Sequence, residues 1–170
     1  MSHLIIIPQG VWRMRVEIRD SQNELLATAV QNPFSTRSEF TIHAGKPDDP
    51  LLGRLRGKVV YDAEHRAVGG IRRHWLGGYK IFAADHTLAA ELRPIDNPFG
   101  IFADALLGGV LGPIWEGKHT YVLTTGGHRQ PLARFASRAR QRREVDFLGE
   151  LPLPPEMLPA LCVVLCRDRA

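Results

Sequence analysis

The C-terminal segment constrains the fold of this chain more than any other stretch. Every residue from 157 to 166 is apolar, and prolines at positions 152, 154, 155 and 159 precede or open the run. A helix that is apolar on all sides has no face to offer water, so it belongs in a protein core or a membrane. The run is about ten residues long, whereas a bilayer span needs roughly twenty. We therefore expect this segment to be buried inside the protein.

The placement of proline favours a helix over a strand for this segment. Pro159 has no N–H group to donate, which suits the first turn of a helix and would disrupt a later turn. The regular helix is therefore expected at residues 159–167, within a core segment of about residues 155–167. A buried strand over residues 161–165 is the alternative, because periodicity does not separate a short apolar strand from a helix.

The chain before this segment has the periodicity of β-strands. Apolar and charged residues alternate strictly from 12 to 19, which is typical of a strand with one buried face. Similar patterns predict further strands at residues 25–30, 39–43, 59–61, 67–71, 79–82, 88–93, 120–125, 131–140 and 144–148. Residues 45–53 are rich in glycine and proline and are predicted to form a loop.

Three of the predicted hairpins have a turn that contains aspartate, at Asp20, Asp62 and Asp85. Aspartate suits such turns because its carboxylate accepts hydrogen bonds from backbone N–H groups that follow it. Regular hairpins without helical crossovers indicate antiparallel architecture. Closing the sheet removes its edges and creates an interior that the apolar helix can fill. We predict one all-β domain over residues 1–170, a closed antiparallel barrel around a buried hydrophobic C-terminal helix.

Two repeated hairpins and the terminal segment resemble the tubby C-terminal-like superfamily, which includes the LURP-one-related proteins and the phospholipid scramblases. The matching stretches are Val59-Val-Tyr-Asp62 with Ala67-Val-Gly-Gly-Ile71, Tyr79-Lys-Ile-Phe82 with Leu88-Ala-Ala-Glu-Leu92, and Leu158-Pro-Ala-Leu-Cys-Val-Val-Leu-Cys166. The resemblance implies a barrel of about twelve strands around the helix. It also implies an interaction module, since members of the superfamily include phosphoinositide binders and proteins with lipid-related roles.

Two groups of basic residues are the candidate binding sites. Strand parity from residue 131 places the first group on one face, with its last member nearby: Arg134, Arg138, Arg140, Arg142 and Arg143. The second group lies near Trp75 and consists of Arg72, Arg73 and Lys80. Several guanidinium groups on one face suit lipid phosphates or a phosphorylated partner. For the first group we prefer the interpretation of a solvated barrel exterior, because charged residues normally lie on the surface. Nucleic acid is not favoured as a ligand, because aromatic residues for base stacking are missing around the first group.

Residues 98–114 form an apolar, glycine-rich stretch that includes a short helix predicted at residues 101–107. This stretch is either a plug over one barrel opening or an exposed surface for a membrane or partner. We prefer the plug, because large apolar residues are usually buried.

Sequence motifs for catalysis or metal binding are not recognisable. The seven histidines have no metal-ligand spacing, and the chain contains no nucleophile motif, so we expect no cofactor and no metal, and we favour a non-enzymatic role. Cys162 and Cys166 lie inside the apolar run, where free thiols suit a reducing cytosol. With no signal peptide and no span of transmembrane length, we expect a cytoplasmic protein, at most peripheral at a membrane.

The function most consistent with these patterns is a non-enzymatic interaction module of the tubby-like type. It would engage anionic phospholipid headgroups or a protein partner through arginines on the barrel wall. The alternative is an enzyme or a small-ligand carrier with its site at a barrel mouth, which a deep polar cavity would indicate.

Overall fold

The chain forms a closed antiparallel barrel of twelve strands around one helix. The computed structural model describes residues 3–10, 13–35, 39–74, 78–94, 120–125, 131–139 and 142–167, without the side chains of residues 137–139 and 142. The strands are β1 (His3–Gln9), β2 (Arg15–Asp20), β3 (Leu25–Gln31), β4 (Glu39–His43), β5 (Leu51–Arg56), β6 (Val59–Asp62), β7 (Ala67–Arg73), β8 (Tyr79–Ala83), β9 (Leu88–Pro94), β10 (Thr120–Thr125), β11 (Pro131–Ala139) and β12 (Arg142–Phe147). The helix, α1, is Met157–Arg167.

Each strand pairs with its neighbour in sequence, and β1 closes the barrel against β12. In this closing pair, Leu4 lies opposite Val145 and Ile6 lies opposite Arg143. Closure leaves no free edge strand that could pair with another chain. A barrel of this kind presents alternate residues of each strand to its interior and to its exterior.

The helix α1 fills the barrel interior, as the apolar run predicts. Its residues from Met157 to Cys166 are buried except Leu158, which is half-buried against the core. On β2, Val16 and Ile18 are buried in the same core, whereas Arg15 is on the outer face. Each fully buried leucine or valine contributes about 1.5–3 kcal/mol through its removal from water.

Two glycines provide the space in which α1 begins. A Cβ atom at Gly69 would collide with the carbonyl oxygen of Phe82 and with the terminal methyl group of Met157. A Cβ atom at Gly53 would meet the carbonyl oxygen of Tyr61 and the side chain of Glu156. A larger side chain at either position would therefore push against both the barrel wall and the helix.

The fold confirms the predicted class and the buried helix, and it corrects several details. The helix begins at Met157, two residues before its predicted start, and β2 begins at Arg15 instead of residue 12. The predicted loop 45–53 is too long, because β5 already begins at Leu51 and pairs with β4. The strand β1 was not predicted, because Leu4, Ile5 and Ile6 are all buried and show no alternation. The apolar stretch 98–114 and its predicted helix at 101–107 lie outside the described residues.

Candidate functional site: the basic end of the barrel

The connections between strands alternate between the two ends of the barrel, because consecutive strands are antiparallel. We call one end the basic end; there β1 connects to β2, β3 to β4, β5 to β6, β7 to β8, β9 to β10 and β11 to β12. The other connections and the segment from β12 to α1 lie at the opposite end, which we call the acidic end. Charge is distributed very unequally between them.

The acidic end carries most of the described carboxylates outside the strand centres. Its acidic residues are Asp20, Glu24, Asp48, Asp49, Asp62, Glu64, Asp85, Asp146, Glu150 and Glu156, against the cations Arg19, Lys46 and Arg66. Aspartates are common in turns because their carboxylates accept hydrogen bonds from backbone N–H groups. Their hydrogen bonds therefore show whether these carboxylates stabilise the turns or are available to a ligand.

Hydrogen bonds show that the turn aspartates are structural. Asp20 Oδ1 accepts from the backbone N–H groups of Gln22 and Glu24, at 2.9 and 2.8 Å. Asp62 Oδ1 accepts from the N–H of Arg66 at 2.8 Å, and its Oδ2 accepts from the Arg66 Nε at 2.7 Å. Burial acts to raise the pKa of Asp62, but the hydrogen bonds and charge of Arg66 outweigh it and hold that pKa below its ordinary value.

The third aspartate turn follows the same backbone path with a different aspartate position. Asp85 Oδ1 accepts from the Thr87 hydroxyl at 2.6 Å and from the Thr87 N–H at 3.0 Å, which lowers the pKa of Asp85. The fourth residue of each turn, Asn23, His65 or His86, has a left-handed φ of 65–68°. The histidines at these positions are exposed, as expected for solvated turn residues.

The basic end has the opposite character. Its exposed cations come from several different connections and the adjoining strand ends: Arg13, Arg56, Lys58, Arg72, Arg73 and Arg93. The described carboxylates of this end are Glu39, in the β3–β4 connection, and Glu91 on β9, which lies opposite Lys80 and bonds to Arg93. The side chains of Arg56, Lys58 and Arg73 make no hydrogen bond or ion pair within the described part of the chain, so their charges stay available to a ligand.

The two predicted basic groups are brought to the same end, although on different sides of the barrel. Arg72 and Arg73 end β7, and Lys80 lies at the start of β8. In the first group, Arg138 is near the end of β11, and Arg142 and Arg143 begin β12. Arg134 lies lower, in the middle of the outer wall, and Arg140 is outside the described residues.

A bulge alters the strand parity on which the first group rested. The pairing of β11 with β12 shifts register between Ser137 and Ala139, and Arg138 falls in that shift. Arg143 pairs with Ser137 and with the core residue Ile6, so its Cα has interior parity. The common face of the predicted arginines is therefore interrupted after Arg134.

The charge of Arg143 acts on the pKa values of the buried cysteines of α1, so this arginine does not belong to the outer wall. Burial raises the pKa values of Cys162 and Cys166 above the ordinary thiol value, and for Cys162 the neighbouring Cys166 adds to this rise. The positive charge of Arg143 acts in the opposite direction on both thiols without overcoming burial. Both cysteines are free and protonated at neutral pH, which makes them poor nucleophiles.

Some cations of the second group are partly neutralised. Lys80 Nζ lies 3.7 Å from Glu91 Oε1, and Arg93 Nε donates to Glu91 Oε2 at 2.7 Å. Burial acts to raise the pKa of Glu91, but the bonds and charges of Arg93 and Lys80 prevail and lower it. Arg72 is placed over the ring of Phe82, with its Cζ 5.2 Å from the ring centroid, and stays exposed.

A shallow cleft of about 380 Å³ lies on the outer wall next to the basic end. Its lining residues are Gln9, Gly10, Arg13, Arg15, Val30 and Pro47. The Arg15 guanidinium bonds to Glu17 Oε1 at 2.8 Å, while its buried Nε has no partner within the described residues. Arg13 Nε donates to the Gln31 carbonyl oxygen at 2.7 Å, which fixes this arginine beside the β3–β4 connection.

Other kinds of site find no support in the described part of the chain. No cluster of three or more histidine, cysteine or acidic side chains there could hold a metal ion. Across the same residues, no helix has the length and apolar character needed to cross a membrane.

Comparison with known proteins supports the fold and does not indicate a function. No family model matches the sequence, and no curated protein matches it. A crystal structure of a protein from Arabidopsis thaliana is similar in fold, with a TM-score of 0.61 and 11% sequence identity. The match covers 99% of this chain and 93% of the plant protein, so the shared architecture extends over the whole barrel.

Several residues of the basic end were missed by sequence reasoning. Arg56 and Lys58 lie at the short β5–β6 hairpin and Arg93 lies near the end of β9, and each attracts no attention singly. Their common feature is position at the same type of strand connection, which becomes visible once the strand count is known. Counting alternate connections from β1 would have found them.

Proposed function

We propose that this protein is a non-enzymatic module that binds anionic phospholipid surfaces through the basic end of its barrel. The observation that carries the proposal is the separation of charge between the two ends. Exposed arginines and a lysine surround one end, whereas Asp20, Asp62 and Asp85 at the other end are held in turns. Cations that encircle one opening can all face the same flat surface at once.

Electrostatics predicts how the barrel is oriented on a membrane and roughly how strongly it binds. Each lysine or arginine near an anionic membrane surface contributes about 1 kcal/mol, and the attraction falls off within a Debye length. An end-on orientation would bring the basic end close to the headgroups and hold the acidic end a full barrel length away. Binding should therefore depend strongly on salt.

The filled interior supports an interaction module over an enzyme or a small-ligand carrier. The residues of α1 occupy the space where a ligand cavity would lie, and Leu161, Cys162 and Val163 are 0% exposed. The cleft beside Arg13 is open and shallow, and it lacks the enclosure that small-molecule sites usually have.

We further propose that the chain is a tubby-like module of the LURP-one-related and scramblase-like type, peripheral at a membrane in the cytoplasm. Support comes from the barrel with its terminal interior helix and from the sequence stretches that resemble the superfamily. The similar Arabidopsis structure agrees with this fold. Lipid engagement by other superfamily members makes the anionic surface a reasonable ligand.

Co-sedimentation with vesicles tests the proposal. We expect binding to vesicles that contain phosphatidylserine, weakening at high salt, and none to vesicles of phosphatidylcholine alone. The double variant Arg56→Ala/Arg73→Ala removes two exposed charges from the basic end, so its affinity should fall about thirtyfold.

A matched variant separates the basic end from the outer wall. Lys46→Ala/Arg134→Ala also removes two exposed positive charges, one at the acidic end and one in the middle of the wall. It should bind almost as well as the native protein. Equal losses in both variants would reduce the effect to net charge, and a loss confined to the second variant would move the site to the wall around Arg134.

A further inference from the structure

Phe34 is the most exposed large apolar residue in the described part of the chain. It is 98% exposed, compared with 55% for Leu148 and 36% for Val59 and Leu88. Phe34 lies in the β3–β4 connection and therefore at the basic end, whereas Leu148 follows β12 at the acidic end. A fully exposed phenylalanine keeps its whole apolar surface in water, which costs free energy that burial would recover.

The turn that carries Phe34 is held in place by several hydrogen bonds. Asn32 Oδ1 accepts from the N–H of Phe34 at 3.1 Å, and the carbonyl oxygen of Asn32 accepts from the Ser35 N–H at 3.3 Å. The N–H of Asn32 donates to the Glu39 carbonyl oxygen at 3.1 Å. Pro33 fixes one more backbone angle. The ring is therefore presented at the tip of an ordered turn.

Positive charge lies next to this turn. Arg13 Nε donates to the carbonyl oxygen of Gln31, directly before Asn32, and Gln31 Oε1 accepts from the Met14 N–H at 3.0 Å. These bonds tie the β1–β2 and β3–β4 connections together. The arrangement of an aromatic ring and a guanidinium at one edge matches the boundary of an anionic bilayer, where aromatic rings settle below charged headgroups.

We propose that Phe34 inserts into the headgroup boundary of an anionic bilayer and that Arg13 contacts a lipid phosphate beside it. This inference rests on the proposed function and adds an orientation to it: the barrel stands on the edge formed by the β1–β2 and β3–β4 connections. The charges of the basic end attract the membrane from a distance, and the ring supplies a contact that salt does not screen.

Two variants test the contribution of the ring. Phe34→Ser should weaken binding to phosphatidylserine vesicles about tenfold. The residual affinity should remain salt-dependent, because the charges are unchanged. Leu148→Ser, the matched change at the acidic end, should bind like the native protein. Both positions are exposed, so neither change should disturb folding, which circular dichroism would check.

Fluorescence locates the ring directly. The variants Phe34→Cys and Leu148→Cys would each be labelled with a thiol-reactive dye whose emission shifts to the blue in an apolar environment. The native thiols do not interfere, because Cys162 is 0% and Cys166 4% exposed and burial raises the pKa of each. We expect a blue shift for the dye at position 34 on anionic vesicles and none at position 148.

The possible outcomes distinguish this inference from the proposed function. Salt-sensitive binding with no shift at position 34, and with Phe34→Ser as strong as the native protein, would overturn the insertion and leave the basic end as a purely electrostatic contact. Absence of binding to any vesicle would overturn both. Capture of a protein in place of the vesicles, lost in Phe34→Ser, would assign the exposed ring to a protein interface and refute the lipid contact.

Discussion

The two ends of the barrel contain similar hairpins but use their charges differently. At the acidic end, carboxylates such as Asp62 accept backbone hydrogen bonds within their own turns, and Gly53 and Gly69 make room for the start of α1. At the basic end, Arg56 and Arg73 are exposed and have no partner within the described residues. The difference indicates that one end maintains the fold and that the other is available for binding.

The largest effect is expected from a steric change at the acidic end. Gly69→Val would drive a branched side chain into the carbonyl oxygen of Phe82 and the end of Met157, where the barrel wall meets α1. We expect a loss of about 3 kcal/mol in the free energy of unfolding, measured by urea denaturation, because overpacking a tight core is costly.

The control is the same substitution at a roomy position of the same end. A Cβ atom at Gly149 would lie 3.5 Å from Leu132 Cδ2, which is an ordinary contact. Gly149→Val should therefore cost much less. Similar stabilities for the two variants would mean that the start of α1 tolerates displacement, and the structural role of this end would then be weaker than inferred.

The second test, for which we expect an effect of intermediate size, measures the stability of the protein at low pH. The pKa values of Asp62 and Asp85 lie below the ordinary value of 3.8, so the folded state binds protons less readily than the unfolded chain. Their contribution to stability is complete above that ordinary value and is lost as the pH falls through the lower folded values. The unfolding temperature should accordingly be nearly constant from neutral pH to about pH 5 and fall below it.

Replacing Asp62 separates this effect from general acid damage. Asp62→Asn removes the charge that pairs with Arg66 at 2.7 Å, so the variant should melt several degrees lower at neutral pH. Its melting temperature should then change less on acidification than that of the native protein. Parallel acid profiles for the two proteins would show that Asp62 does not provide the linkage. Binding to vesicles should be unaffected at neutral pH.

The smallest effect is expected at the basic end. Arg56→Ala/Arg73→Ala should change the free energy of unfolding by about 0.5 kcal/mol or less, because exposed side chains without partners contribute little to stability. Thermal melts would measure this in the same samples used for vesicle binding. A large destabilisation would contradict the division of roles, since it would show that these guanidinium groups also maintain the fold.

Much of the barrel could be predicted from local patterns, because burial on one face leaves a two-residue period in the sequence. The alternation through β2 and the aspartate turns at Asp20, Asp62 and Asp85 were read correctly, and the apolar run was assigned to a buried helix. Where both faces are covered, as at Leu4, Ile5 and Ile6, alternation disappears and β1 went unnoticed.

The candidate site was less predictable, because it depends on which strand ends meet in space. Arg56 and Arg93 are far apart in sequence and share an end by virtue of the alternating connections. Strand parity also failed locally, since the register shift between Ser137 and Ala139 cannot be read from residue type. The exposure of Phe34 was equally hidden, because a phenylalanine between two strands reads as core.

The position of α1 in the sequence determines the order in which the protein can be completed during synthesis. The first strand finds its partner in β12, with His3 bonded to Asp146 across 143 residues, and the helix follows even later. A growing chain therefore exposes the inner faces of all twelve strands before the residues of α1 that cover them have been made. Contacts between residues so distant in sequence form slowly, and partly folded chains with exposed apolar surface aggregate. Production of the protein should consequently depend on chaperones that protect the unfinished barrel until α1 has been synthesised.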